Sequence, residues 1–89
     1  MSTPDAARTR EVQDWLIATV AKTLEIPAFE IDVDASFERY GMDSSAAVHI
    51  VSQLEIWLGR KLPSNLAYQH STIASLTRFI VSSESPADG

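Results

Sequence analysis

In the run Gly41-Met42-Asp43-Ser44-Ser45, a glycine, an acid and a hydroxyl stand where an irregular acidic stretch gives way to an amphipathic helix. A serine in that place lies on the helix's first turn, where backbone N–H groups lack intrahelical acceptors and the dipole's positive end favours an attached phosphate. Asp43 is the expected N-cap, its carboxylate accepting from the N–H of Ser45 or Ala46, and Gly41 lets the backbone turn ahead of it. The chemistry this allows is covalent: an outward hydroxyl on Ser44 that carries a group. A capped helix start with no further role has the same local pattern, so these five residues do not decide alone.

Other reactive side chains compete poorly. Ser45 is a second hydroxyl, but it lies about 100° around the helix from Ser44. His49 and His70 suggest a metal pair or a catalytic base, yet no thiol or acidic cluster accompanies them. His49 falls roughly 140° from Ser44 on the helical wheel, which disfavours a Ser-His-Asp hydrolase. No metal site and no catalytic residue is expected. Trp15 and Trp57 read as core or core-edge packing.

Four helices must position Ser44. Thr3-Pro4-Asp5 is a helix start, and Val12, Trp15, Leu16, Ile17, Val20, Ala21 and Leu24 then recur at helical spacing up to Leu24, with Pro27 blocking continuation. From Glu25 to Met42 runs a long connection whose Ile26, Phe29, Ile31, Val33, Phe37 and Tyr40 should pin it across the helix ends. The second helix begins after Asp43 and runs to about Leu58, where Gly59 stops it. Its inward stripe is Ala47, Ile50, Val51, Leu54 and Leu58, while Ser45, Val48, His49, Ser52 and Ile56 fall mostly on the other side. Asn65 to Gln69 make one turn or two. The last helix starts at Ser71 or Thr72, which supply capping oxygens, and buries Ile73, Leu76, Phe79 and Ile80. Residues 1–81 form one domain, and Ser82 to Gly89, lacking an apolar anchor, should be a mobile tail.

The 89 residues allow one small core, since folding at this size removes only about 60 to 70% of the unfolded chain's surface from water. There is no cysteine, hence no disulfide framework and no thiolate metal site. No apolar run approaches the roughly 20 residues of a membrane span, so a cytoplasmic protein is the default expectation. The net charge of −5 is concentrated between Glu25 and Asp43, where Glu25, Glu30, Asp32, Asp34, Glu38 and Asp43 face the single base Arg39. Such a field repels nucleic acid and steers a basic partner surface, unless the stretch is only a solvated acidic loop. A helix-turn-helix DNA reader is disfavoured for the same reason.

Phe37-Glu38-Arg39-Tyr40-Gly41-Met42-Asp43-Ser44, then Leu54-Glu55 and Gly59-Arg60-Lys61-Leu62-Pro63, then Ser71-Thr72-Ile73 and Leu76, resemble the acyl carrier protein family. The likeness extends from about Val12 to Ile80. It implies an all-α, right-handed four-helix bundle with a long loop between helices one and two and a short third helix. It also implies that Ser44 carries 4′-phosphopantetheine from coenzyme A, whose thiol holds acyl intermediates as thioesters. The chain would then be a carrier that catalyses nothing itself.

By the same resemblance, Asp43 takes part in the encounter with a magnesium-using phosphopantetheinyl transferase. Further partners are an acyl-loading enzyme (an acyltransferase or an acyl-adenylating ligase), a ketosynthase and other synthase domains, met by a monomer. Met42 is more like acyl than peptidyl carriers, and Leu62-Pro63 with Thr72-Ile73 look most like carriers of modular polyketide synthases. Met1 and the short tails suggest a stand-alone protein or an excised domain. Ser45 departs from the leucine usual after the modified serine, and His49 and Ile56 stand where fatty-acid carriers place glutamates. Partner choice is therefore expected to rest on Glu38, Met42, Ser45, Val48, His49, Ser52 and Ile56. A peptidyl carrier and an unmodified helical interaction module remain the alternatives, and the sequence leaves open whether an acyl chain lies on the surface or between helices two and three.

Overall fold

The computed structural model describes residues 4–84. Helix α1 spans Pro4–Leu24, α2 Ser44–Leu58, α3 Leu66–Gln69 and α4 Ile73–Glu84. Among the described residues there is no strand, only an isolated bridge between Ser36 and Thr72. This is the expected all-α arrangement of four helices with a short third one. The Thr3 cap expected for α1 lies outside the described residues.

Helix α1 buries Val12, Leu16 and Val20 completely, a stripe at i, i+4 and i+8. It meets Ile50, Val51 and Leu54 of α2, Leu66 and Ala67 of α3, and Ile73, Leu76 and Ile80 of α4 in one core. Each fully buried leucine or isoleucine contributes about 1.5–3 kcal/mol relative to exposure. Helix α1 packs most extensively along α4. It ends in a left-handed residue, Glu25 (φ 61°), with the N–H of Ile26 donating to Ala21 O and that of Glu25 to Lys22 O. That bonding pattern usually recruits glycine, and holding a side chain there costs about 1 kcal/mol. The end of α2 follows the commoner solution, with Gly59 at φ 71°.

The connection between α1 and α2 is ordered, with short 3-10 turns at Ala28–Glu30 and Phe37–Tyr40. Phe37 is buried, and its N–H donates to Ser71 O at 2.8 Å, while the N–H of Ala74 donates to Val33 O at 2.9 Å. The loop is thereby hooked onto the entrance of α4. Tyr40 adds a staple: its hydroxyl accepts from the N–H of Asp32 at 2.6 Å and donates to Asp32 O at 3.2 Å. One expected anchor fails. Phe29 is 87% exposed, because the 3-10 turn carrying it buries no residue.

Helix α4 departs more informatively from expectation. Thr72 caps it as anticipated, Oγ1 accepting from the N–H of Ser75 at 3.0 Å. Val81 and Thr77 join the buried side, whereas Phe79 is only half-buried. The helix does not stop at Val81 but runs through Glu84, so Ser82, Ser83 and Glu84 are helical rather than tail. The anchors are polar. Arg8 Nε and Nη2 each donate to the Glu84 carboxylate at 2.8 Å, and Arg60 Nη2 donates to Ser83 Oγ. Arg8 hydrogen bonding holds the Glu84 carboxyl below its ordinary range despite partial burial, and the carboxylates of Glu84 and Glu11 push the guanidinium up. Beside them Trp15 and Trp57 stack at 4.8 Å and 9°, with the Arg8 guanidinium 5.1 Å above the Trp57 ring. The expected mobile segment 85–89 lies outside the described residues.

Candidate functional site

The site begins with how α2 starts. Gly41 closes the second 3-10 turn in the left-handed region (φ 75°), its N–H donating to Glu38 O at 2.9 Å. A Cβ there would meet nothing within 4 Å, so glycine is favoured by the backbone conformation alone. The chain then extends through Asp43 (φ −91°, ψ −179°), whose Oδ1 accepts from the N–H of Ala46 at 2.9 Å. Of the two donors anticipated for the cap, the structure uses Ala46. Ser44 is the first helical residue and is exposed.

Its hydroxyl has one protein partner among the described residues. The Tyr68 hydroxyl donates to Ser44 Oγ at 2.7 Å, joining α3 to the start of α2. Tyr68 is 61% exposed, while Leu66 and Ala67 before it are buried. Sequence reasoning missed Tyr68. The available signal was indirect: once Leu66 and Ala67 take inward positions, the next side chain is forced to the rim. Its distance to Ser44 depends on tertiary docking that no local pattern encodes.

Beside Ser44 lies a cleft of about 460 Å³ between the second 3-10 turn, α2 and α3. Phe37, Met42, Ala47 and Ala67 give it an apolar lining, and Ser36, Ser71 and Tyr68 add hydroxyls. Glu38 and Asp43 are its charged residues, and no lysine or arginine lines it. The cleft, lined by apolar side chains and hydroxyls beside Ser44, can accept a chain of mixed polarity rooted on that residue.

The remaining residues singled out from the sequence divide. Ser45, Val48 (41% exposed), Ser52 and Ile56 (75% exposed) share the outer face of α2, with Glu38 exposed nearby on the 3-10 turn. Met42 is half-buried against the core and belongs to the cleft more than to the open surface. His49 is exposed but lines a separate groove of about 530 Å³ with Trp15 and Lys22 of α1 and Gln53. His70 is committed elsewhere, its Nδ1 2.8 Å from Ser75 Oγ and its ring 4.9 Å from Phe79.

Comparison with known proteins bears directly on this geometry. Residues 14–80 match the PP-binding family, described as the phosphopantetheine attachment site. The acyl carrier protein TtuC of Teredinibacter turnerae is 37% identical over 70 residues, covering 79% of this chain and 80% of that protein. The polyketide synthase PksL of Bacillus subtilis is 32% identical over 73 residues, 82% of this chain but only 2% of the synthase. In structure, a free-standing peptidyl carrier protein from an uncharacterised Acinetobacter baumannii secondary metabolic pathway superposes with a TM-score of 0.83. It is 27% identical, with 86% of this chain and 96% of that one covered. An outward serine at a capped helix start and a match over most of the chain lead to one conclusion: this chain belongs to the phosphopantetheine-attachment family, whose members bear that group covalently and carry substrates rather than transform them.

Proposed function

We propose that this chain is an acyl carrier of polyketide-type secondary metabolism and that Ser44 is the residue that receives the 4′-phosphopantetheine arm. The observation that carries the reading is the exposed Ser44 hydroxyl on the first residue of α2, with Asp43 capping the turn. The donor set suits the group. The first-turn N–H groups of Ser44 and Ser45 lack intrahelical acceptors, and the helix dipole favours a phosphodiester there. The mixed apolar and hydroxyl lining of the adjoining cleft suits an arm that contains both amides and methylenes.

In the attachment step, Ser44 Oγ attacks the pantetheine-bearing phosphorus of coenzyme A. The P–O bond to adenosine 3′,5′-bisphosphate breaks, that nucleotide leaves, and the serine proton passes to a base supplied by the transferase. The arm, once bound, supplies the thiol that holds an acyl group as a thioester. The chain's own part is to present Ser44, keep its helix end rigid through Asp43, and offer the outer face of α2 to an acyl-loading enzyme and a ketosynthase. The identity to TtuC and to a segment of PksL supports acyl rather than peptidyl cargo. Similarity to a peptidyl carrier keeps the peptidyl reading as the alternative. We place the protein in the cytoplasm as a monomer. Among the described residues no helix is long and apolar enough to cross a membrane.

Intact-protein mass spectrometry after incubation with a broad-specificity transferase, magnesium and coenzyme A tests the assignment. The wild type and Ser45→Ala should each gain one phosphopantetheine, and Ser44→Ala none. Loss of the gain in Ser45→Ala with retention in Ser44→Ala would overturn it. Offering acyl-adenylate and aminoacyl-adenylate donors to the modified protein with their ligases then separates the two cargo readings.

A further inference from the structure

We propose that Tyr68 is a positioning residue for the root of the arm. Its phenol holds Ser44 Oγ in the unmodified protein, and after esterification it donates instead to a non-bridging phosphate oxygen, keeping the diester against α3. The inference rests on the reading of Ser44 as the attachment site.

Tyr68 already donates to Ser44 Oγ at 2.7 Å, and Leu66 and Ala67, buried in the core, fix its place on α3. When the serine oxygen becomes an ester bridge it turns into a poorer acceptor, while negative charge appears on the two oxygens bonded to the same phosphorus. Rotation of the exposed Tyr68 side chain is enough to carry the donor to one of them. A hydrogen bond to an ionised acceptor is roughly twice as strong as the neutral bond it replaces.

The surroundings make this donor matter. No lysine or arginine lines the cleft, so the diester meets neutral donors there and not a cation. The carboxylates of Glu38 and Asp43 also line the cleft and disfavour the phosphate where it approaches them. Asp43 also takes the N–H of Ala46 for its cap, which leaves the first-turn N–H groups and the Tyr68 hydroxyl to receive the diester. A tyrosine thus substitutes for a basic residue at the foot of the arm.

The test compares wild type with Tyr68→Phe, which removes one oxygen. Both are modified with the transferase and coenzyme A, verified by intact mass and by amide spectra showing a folded protein, and examined by 31P NMR beside a phosphopantetheinylated Asp-Ser-Ser peptide. The wild-type diester resonance should differ from the peptide's, and that of Tyr68→Phe should move to the peptide value, reflecting a roughly three- to tenfold loss of the held population. The Tyr68 Cζ resonance of the wild type should also move when the arm is attached, a readout that needs no variant. Superimposable 31P resonances in the two modified proteins, or a Cζ signal indifferent to modification, would overturn the role of Tyr68 and leave Ser44 as the attachment site untouched. Absence of any mass gain in the wild type would overturn both.

Discussion

The two ends of α2 are held in opposite ways. At the Ser44 end, an exposed hydroxyl accepts one bond from an exposed phenol, and the cap is a single carboxylate on one N–H. At the Trp57 end, about 20 Å away along the helix axis at 1.5 Å per residue, α1, α2 and α4 are clasped together. Trp15 stacks on Trp57, Arg8 lies over the stack and pairs with Glu11 and Glu84, and Arg60 reaches Ser83. A bundle this small has one core to share. Placing the interlocking polar and aromatic contacts at one end leaves the other free for the role proposed for Ser44 without spending the fold's stability.

The largest effect should come from breaking the closed end. Trp57→Ala removes the aromatic pair, the cation over it and part of the packing, and should cost about 2–3 kcal/mol of unfolding free energy. Urea denaturation should show it, with phosphopantetheine addition to Ser44 retained under native conditions. An equal loss of addition in the folded variant would mean that the ends are coupled and the comparison fails.

At the open end, Asp43→Ala should cost less, about 1 kcal/mol for a lost N-cap, yet it should slow modification more than Trp57→Ala does. Asp43→Asn, which keeps an acceptor oxygen, should restore most of the stability. If it restores the modification rate equally well, the carboxylate's charge is irrelevant to the transferase encounter and capping is its whole role.

What could be read from the sequence follows the range of each determinant. The Asp43 cap, the Gly41 turn, the Gly59 stop and the Thr72 start are local codes, and the structure has all four. The inward stripe of α2 was legible because its period is that of the helix, and Leu58, at its end, is half-buried where the core thins. Tyr68 was not legible, because a four-residue helix has no periodicity from which to read a register. The last turn of α4 was missed for a different reason. Its anchors are Arg8 and Arg60, 76 and 23 residues distant from their partners, and a search for apolar contacts does not see them. Glu25 ends α1 in a conformation that glycine usually supplies, so its composition gave no warning.

The smallest predicted effect concerns that hidden anchor and carries a pH signature. The Arg8 hydrogen bonds hold the folded-state pKa of Glu84 below its ordinary value of 4.5. A carboxyl depressed on folding adds stability that is fully present above its unfolded pKa and is lost as pH falls through the folded one. The clasp should therefore be complete at neutral pH and fade only as pH falls below that ordinary value. Both side chains are partly solvated, at 33% and 27% exposure, so Glu84→Gln should cost no more than about 1 kcal/mol at pH 7. Measured at pH 7 and again near pH 3, the gap in urea midpoint between wild type and Glu84→Gln should shrink toward zero, and raised salt at pH 7 should narrow it too. A gap that persists unchanged at pH 3 would mean that Glu84 holds α4 by packing rather than by charge, and the Arg8–Glu84 ion pair would drop out of the account of the closed end.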